Sequence, residues 1–336
     1  MSHHLAIEAH GLVKRYGETT ALAGVDVEVP TGSVTAVLGP NGAGKTTAVR
    51  VLTTLSDADE GTAIVAGFDV VQNPTEVRRR IGLAAQDATV DPLLTGRENL
   101  VMIGELHQLA RKEAKSRAVT LLDQFGLTDA IDQVASGYSG GMRRRLDLAA
   151  TLVGRPEILF LDEPTTGLDP RARTELWTVL DTLVGQGTTV LLTTQYLEEA
   201  DRLADDILVV DHGRVIARGD ARALKRQIGG DNIGITVSDE ARLDDAAAIL
   251  ARVTRSEPVL DRPVRSATAP TADGVAGLGA VATALAEAEI AVEDLGLRQP
   301  TLDEVFLTLT GTTTDDDAHR TDTDRADAPT PQEVVR

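Results

Sequence analysis

Short apolar runs alternate with amphipathic stretches over roughly residues 5 to 225, and this alternation predicts an α/β sheet. Val34 to Leu38 (VTAVL), Ile158 to Leu161, Thr188 to Thr193 and Asp206 to Val210 are runs with almost no polar interruption, as expected of parallel strands buried on both faces. Leu5 to Glu8, Ala21 to Val29 and Gly61 to Ala66 are further strands. Apolar residues at three- and four-residue spacings predict helices over Lys45 to Leu55, Gly96 to Ala110, Lys112 to Phe125 and Gly141 to Val153. Two more are expected near Arg171 to Leu183 and Tyr196 to Leu203.

The texture changes near Gly229-Gly230. Beyond it the pattern reads strand from Ile233, helix (Leu243 to Val253), two strands around Pro258 to Ala269, helix (Ala276 to Ala288), strand (Ala291 to Leu297) and a last short helix (Leu302 to Leu309). A βαββαβ order predicts a small α+β ferredoxin-like domain. It has no cluster of catalytic residue types, so a packing or regulatory module is the simpler reading. The expected division is 1–228, 229–311 and a tail, 312–336, rich in Asp, Thr and Pro and read as disordered and acidic.

Composition narrows the function. Aromatic residues make up only 2% of the 336, so the core must be aliphatic and a lone loop aromatic gains interest. The net charge of −19 argues against nucleic acid as a partner, which needs Lys and Arg facing phosphates. Cysteine is absent, which excludes disulfides, thiolate metal sites and a cysteine nucleophile. No run approaches the ~18 apolar residues of a membrane span. The N-terminal MSHHLAIEAHGL lacks the pattern of a secretory signal. These features predict a cytoplasmic chain that serves a membrane only through another subunit.

Three motifs carry chemistry. GPNGAGKTT, at Gly39, Pro40, Asn41, Gly42, Ala43, Gly44, Lys45, Thr46 and Thr47, follows the strand VTAVL and opens a helix. In that context the glycines let backbone N–H groups curl around a phosphate. Lys45 reaches the β- and γ-phosphates, and the Thr46 hydroxyl coordinates Mg²⁺. The alternative is a Gly-rich turn. ILFLDEP then carries Asp162 and Glu163 to the carboxyl end of a buried strand, where ligands bind in open α/β sheets. Asp162 suits a largely hydrated Mg²⁺, and Glu163 a general base acting on water. YSGGM is a second glycine pair opening a second helix at Ser139, Gly140 and Gly141, an anion site with no lysine of its own. An ordinary N-cap by Ser139 is the alternative there.

In this order and spacing, GPNGAGKTT, YSGGM, ILFLDEP and GLDP (Gly167 to Pro170) resemble the ATP-binding subunit of an ABC transporter. The resemblance implies a P-loop NTPase domain with an antiparallel β subdomain and a helical subdomain. It implies ATP and Mg²⁺ as ligands, a homodimer clasping two ATP molecules head to tail, and a separately encoded membrane permease. The P-loop of one protomer would face Ser139, Gly140 and Gly141 of the other. Tyr16 would stack on adenine, with a buried strand tyrosine as the alternative. Gln86 would touch Mg²⁺ or the attacking water, Asp87 to Leu109 would meet the permease, and Asp169 would link the protomers.

One position departs from the pattern. Most of this superfamily holds His where this chain has Gln195, and none of His3, His4, His10, His212 and His319 lies in a strand-end loop that replaces it. A glutamine amide still donates to a phosphate oxygen, but without positive charge, and a neutral bond is weaker by about a factor of two. Slower chemistry is expected, not its loss. TTQYLEEADRLAD together with PTLDEVFLTLTG (Pro300 to Gly311) is similar to the daunorubicin/doxorubicin-resistance branch of ABC exporters, where Gln is usual at this position. That resemblance implies a multidrug or antibiotic exporter. Two other readings are a nucleotide-gated binding module without useful hydrolysis and a soluble ABC ATPase acting on ribosomes or DNA. The retained Glu163 opposes the first, and a single ATPase unit with acidic balance opposes the second.

Overall fold

The computed structural model describes residues 4–85, 89–227, 231–298 and 301–310. The acidic tail expected at 312–336 lies outside them. The chain divides into two compact units, with the boundary between Asp220 and Ala221.

The first unit contains β1 (Leu5–Tyr16), β2 (Thr19–Pro30), β3 (Val34–Leu38), α1 (Lys45–Leu52), β4 (Glu60–Val65), β5 (Phe68–Asp69), α2 (Pro74–Arg80) and β6 (Ile81–Ala84). It continues with α3 (Gly96–Leu106), α4 (Arg111–Gln124), α5 (Gly140–Thr151), β7 (Ile158–Asp162), α6 (Pro170–Gly185), β8 (Thr189–Thr194), α7 (Leu197–Leu203), β9 (Asp206–Asp211) and β10 (Arg214–Gly219). The unbroken apolar runs form the interior of a six-stranded sheet, in the order β10-β9-β3-β8-β7-β6. Every residue of β3, β7 and β8 is buried, as strands covered on both faces require. Those strands are parallel, so their carboxyl ends share one edge, with Leu38 level with Thr194 and Asp162 level with Thr193.

A second sheet, β2-β1-β4-β5, is antiparallel. Its inward residues, Ile7, Leu12, Leu22, Val27, Val29 and Val65, share an aliphatic core with α1 and the six-stranded sheet. β1 is much longer than the apolar pattern at Leu5 to Glu8 predicts. The pairing shifts register between Ala9 and Leu12, where Gly11 adopts φ +60°. Such a bulge flips the inward face and hides the strand from a period-two reading. Beyond it, Lys14 and the Arg15 amide both bond Asp59, so polar contacts carry the strand to Tyr16. β10 was also illegible, because RVIARG sits at an edge where Arg218 pairs with Asp206 and Glu28 instead of burying. The helical subdomain closes around Leu100, Ile103, Ala114, Ala118 and Leu121. Thr95 and Glu98 cap α3 reciprocally, which fixes its start.

The second unit contains α8 (Ala221–Gln227), β11 (Asn232–Val237), α9 (Leu243–Thr254), β12 (Val259–Asp261), β13 (Ser266–Pro270), α10 (Gly274–Glu287), β14 (Val292–Arg298) and α11 (Leu302–Thr310). Its antiparallel sheet runs β12-β13-β11-β14. From β11 to β14 the order is βαββαβ, the ferredoxin-like arrangement that the sequence predicts. Ile233, Ile235 and Val237 of the central β11 pack with Leu243, Leu250, Val281 and Leu285 of the two helices.

Candidate active site

The residues of GPNGAGKTT and ILFLDEP meet at the carboxyl ends of β3, β7 and β8. The loop after β3 turns tightly enough that a side chain at Gly39 would collide with the Val210 carbonyl oxygen. Gly44 adopts φ +105°, which a side-chained residue rarely takes. These two glycines bring Lys45 to the start of α1. Its Nζ donates to the carbonyls of Gly39 (2.8 Å) and Pro40 (3.1 Å) and lies 3.2 Å from Glu163 Oε1. Asn41 and Gly42 are exposed at the tip of the loop, whereas Ala43 is buried beneath it.

Asp162 ends β7 buried, with only 3% of its surface exposed. Its Oδ1 accepts from Thr193 Oγ1 at 2.5 Å and from Thr46 Oγ1 at 3.2 Å. Glu163 follows at φ +50°, a costly conformation for a side-chained residue. Its N–H donates to both the carbonyl and the hydroxyl of Thr193, at 3.1 Å each, and its Oε2 accepts from Thr166 at 3.3 Å. The strained turn aims the Glu163 carboxylate at Lys45 instead of continuing the strand. The oxygen-rich pair Thr46–Asp162 has the hard donors that Mg²⁺ selects. Among the described residues no set of three His, Asp or Glu side chains forms a dedicated metal cage. Mg²⁺ does not need one, since it keeps waters and phosphate oxygens as ligands.

Gln195 is half-buried, one residue past Thr194, whose carbonyl accepts the Gly39 amide at 3.3 Å. Residue 195 is thus tethered through the backbone to the loop after β3. The next residue, Tyr196, lies under the Arg173 guanidinium, 4.8 Å from the ring centre. Ser139 is the N-cap of α5, accepting from Met142 N at 3.2 Å. Gly140 and Glu163 line a common cavity of about 320 Å³. Ser139, Gly140 and Gly141 open on a second, of about 530 Å³, with Asp169. Asp169 caps α6 by accepting from Ala172 N at 2.9 Å. Tyr16 is 49% exposed, so the buried-strand alternative for it is wrong. Gln86 lies outside the described residues.

Sequence reasoning missed four residues. Thr193 and Thr166 bind the two carboxylates, but neither a threonine in an apolar strand nor one in the turn after β7 carries a motif. Asp147 of α5 is buried beside the site and Arg144 is mostly covered, with 2% and 13% of their side chains exposed. Burial pushes the Asp147 carboxyl up, opposed by the Thr89 amide and Arg144, and pulls the Arg144 guanidinium down. In the sequence this pair carries no motif and lies within RRRLD, inside the helix expected over Gly141 to Val153.

Comparison with known proteins agrees with this geometry. The ABC transporter family model matches residues 22–166. The chain is 53% identical over 321 residues to "Daunorubicin resistance ATP-binding protein DrrA2" of Streptomyces coeruleorubidus, covering 96% of this chain and 98% of that protein. It is 44% identical to "Doxorubicin resistance ATP-binding protein DrrA" of Mycobacterium tuberculosis, covering 94% and 96%. Among solved structures, the ADP conformation of MJ1267, an ATP-binding cassette of an ABC transporter, superposes with a TM-score of 0.60 at 27% identity. That match covers 65% of this chain and 91% of MJ1267.

Proposed function

We propose a residue-level mechanism for this chain, which belongs to the ABC transporter family and, within it, to the daunorubicin/doxorubicin-resistance ATP-binding proteins. The chain is an ATPase subunit that powers export through a separate permease. The observation that carries the mechanism is the meeting of Lys45, Thr46, Asp162 and Glu163 at adjacent strand ends. The backbone N–H groups from Gly39 to Thr47 cradle the phosphates, and Lys45 balances charge on the β- and γ-phosphates. A phosphate that reaches Lys45 competes with Glu163 for it, which frees the carboxylate to face water. Glu163 takes the proton as the water oxygen bonds to the γ-phosphorus and the bond to the β–γ bridging oxygen breaks. Gln195 donates to a γ-phosphate oxygen. Thr46 and Asp162 would hold Mg²⁺, with Gln86 as the expected third ligand; the ion supplies electrostatic stabilisation of phosphate charge.

Two copies would face head to tail, with Ser139, Gly140 and Gly141 completing the partner's site and Tyr16 stacking on adenine. The exposure of Ser139 and Gly140 and the 49% exposure of Tyr16 support this assembly. Leu93 and Leu106, exposed at 80% and 75%, support 87–109 as the surface that meets the permease. No helix among the described residues is long and apolar enough to cross a membrane, which fits a peripheral position on the inner face. The cargo proposed is an amphipathic drug or antibiotic, selected by the permease.

The test is Mg-ATP hydrolysis by the purified chain beside Glu163→Gln and Gln195→Ala. Turnover by wild type, its loss in Glu163→Gln and its impairment in Gln195→Ala are expected. Wild-type turnover no faster than Glu163→Gln, with permease membranes present, would overturn the assignment of the base.

A further inference from the structure

The Arg144–Asp147 pair has no part in the chemistry above, yet it touches more of the site's frame than any motif residue. Arg144 Nε donates to the Pro164 carbonyl at 2.9 Å, and Nη2 to the carbonyls of Asp162 and Glu163 at 3.2 Å each. Its Nη1 donates to the Ala85 carbonyl at 2.9 Å and lies 3.5 Å from Asp147 Oδ2. The other oxygen of Asp147 accepts the Thr89 amide at 2.7 Å. One guanidinium thus binds three consecutive carbonyls at the end of β7 and one just beyond the end of β6. Its i+3 partner holds the main chain four residues further on, at Thr89. Both side chains project from α5, the helix whose first turn carries Gly140 and Gly141.

Burying an arginine against main-chain carbonyls is expensive unless its donors are used, and here three of the four bonds go to one turn. That turn holds Glu163 at φ +50°. A strained residue persists only where its surroundings over-determine it. The Glu163 N–H is fixed by Thr193 and its carbonyl by Arg144. Lysine is a poor substitute, because a single ammonium cannot present the planar fork that reaches four carbonyls.

We infer that Arg144, braced by Asp147, is a positioning residue that fixes the strained turn of Glu163 to α5, so that the aim of the base depends on the helix that carries Ser139–Gly141. The inference rests on Glu163 as the base. It predicts a defect in turnover without a defect in nucleotide binding, since Arg144 donates to no atom of the phosphate loop in these contacts.

The experiment uses the full chain with its permease membranes and compares wild type, Arg144→Lys, Asp147→Asn and Glu163→Gln. The readouts are kcat for Mg-ATP and the dissociation constant for labelled ATP. A misplaced base predicts kcat down about 10- to 100-fold in Arg144→Lys, with ATP affinity within about twofold of wild type. Asp147→Asn keeps an acceptor for Thr89 but loses the charge beside Arg144, so a smaller drop of the same kind is expected. In single-turnover assays, Arg144→Lys should add nothing to the loss already caused by Glu163→Gln. The inference is overturned if both variants turn over like wild type, or if affinity falls in parallel with rate. If Arg144→Lys does not fold, Asp147→Asn decides by the same criterion. A wild type no faster than Glu163→Gln sinks the base assignment and this inference together, whereas a fast wild type with an equally fast Arg144→Lys sinks this inference alone.

Discussion

Thr193→Val isolates one bond at the centre of the site. Valine matches threonine in volume, so no cavity opens and the strand keeps its backbone pairing. What is lost is the 2.5 Å bond from Thr193 Oγ1 to Asp162 Oδ1 and half of the bifurcated bond from the Glu163 amide. The amide keeps the Thr193 carbonyl at 3.1 Å, so its loss is small. Asp162 retains only the longer bond from Thr46, at 3.2 Å, and it is 3% exposed, so water cannot replace the hydroxyl. A hydrogen bond to a charged buried group is worth about 1.5–3 kcal/mol. For a unit of this size each kcal/mol shifts the melting temperature by about 2–4 °C, so the first unit should melt about 3 to 12 °C lower. Thermal unfolding of wild type, Thr193→Val, Asp162→Asn and the double variant closes a cycle. The coupling energy should exceed about 0.5 kcal/mol, because the two groups touch. Strict additivity would refute the claim that this bond holds Asp162 in place.

Two further outcomes follow from local geometry. Gly39→Ala drives a Cβ into the backbone oxygen of Val210, whereas Gly42→Ala meets no atom within 4 Å and suffers only from φ +82°. Overpacking costs about 1–3 kcal/mol or more and a left-handed residue about 1–2, so urea unfolding should rank Gly39→Ala as the less stable, and the reverse order defeats the reading. Burial pushes the Glu199 carboxyl above its ordinary value, against opposing contributions from Thr194, Trp177, Thr165 and Arg173. The folded chain therefore holds that proton to higher pH than the unfolded chain. The resulting stability is complete below the unfolded pKa and is lost as pH rises through the folded one. Glu199→Gln should flatten the fall in stability as pH rises above the ordinary carboxylate range; parallel curves for the two proteins would show that Glu199 does not cause it.

The sheet and the nucleotide loop were legible because their physics is local. ILFLD has no polar residue until its last position, and VTAVL has only Thr35 among aliphatic residues, so burial on both faces is forced. Lys45, Thr46, Asp162 and Glu163 could be named because their spacing fixes them at strand ends, and the structure brings them together. The fastening around them was not legible. Thr193 donates from inside a strand chosen for its apolar neighbours, and Arg144 reads as one of three consecutive arginines. Only tertiary placement separates it from Arg143 and Arg145, since Arg143 is exposed and Arg145 pairs with Glu175. β1 failed for a related reason, since its bulge at Gly11 interrupts the alternation on which strand reading depends.

The position of Gln195 argues for a working site over a decayed one. A chain that had lost its chemistry would have no reason to keep the costly parts, and those parts are all present. Glu163 sits in a strained turn, and Arg144 is mostly covered, against four carbonyls. Asp162 is held by two hydroxyls in a buried site. Each of these features costs stability or desolvation that a plain binding module could shed. The substitution at residue 195 changes one donor at the rim of this frame. Its backbone neighbour Thr194 still anchors Gly39, and Tyr196 still stacks under Arg173. In the mechanism proposed here, a neutral amide in place of a charge-assisted donor weakens one contact to the γ-phosphate by about a factor of two, while the aim of Glu163 and the reach of Lys45 do not depend on it.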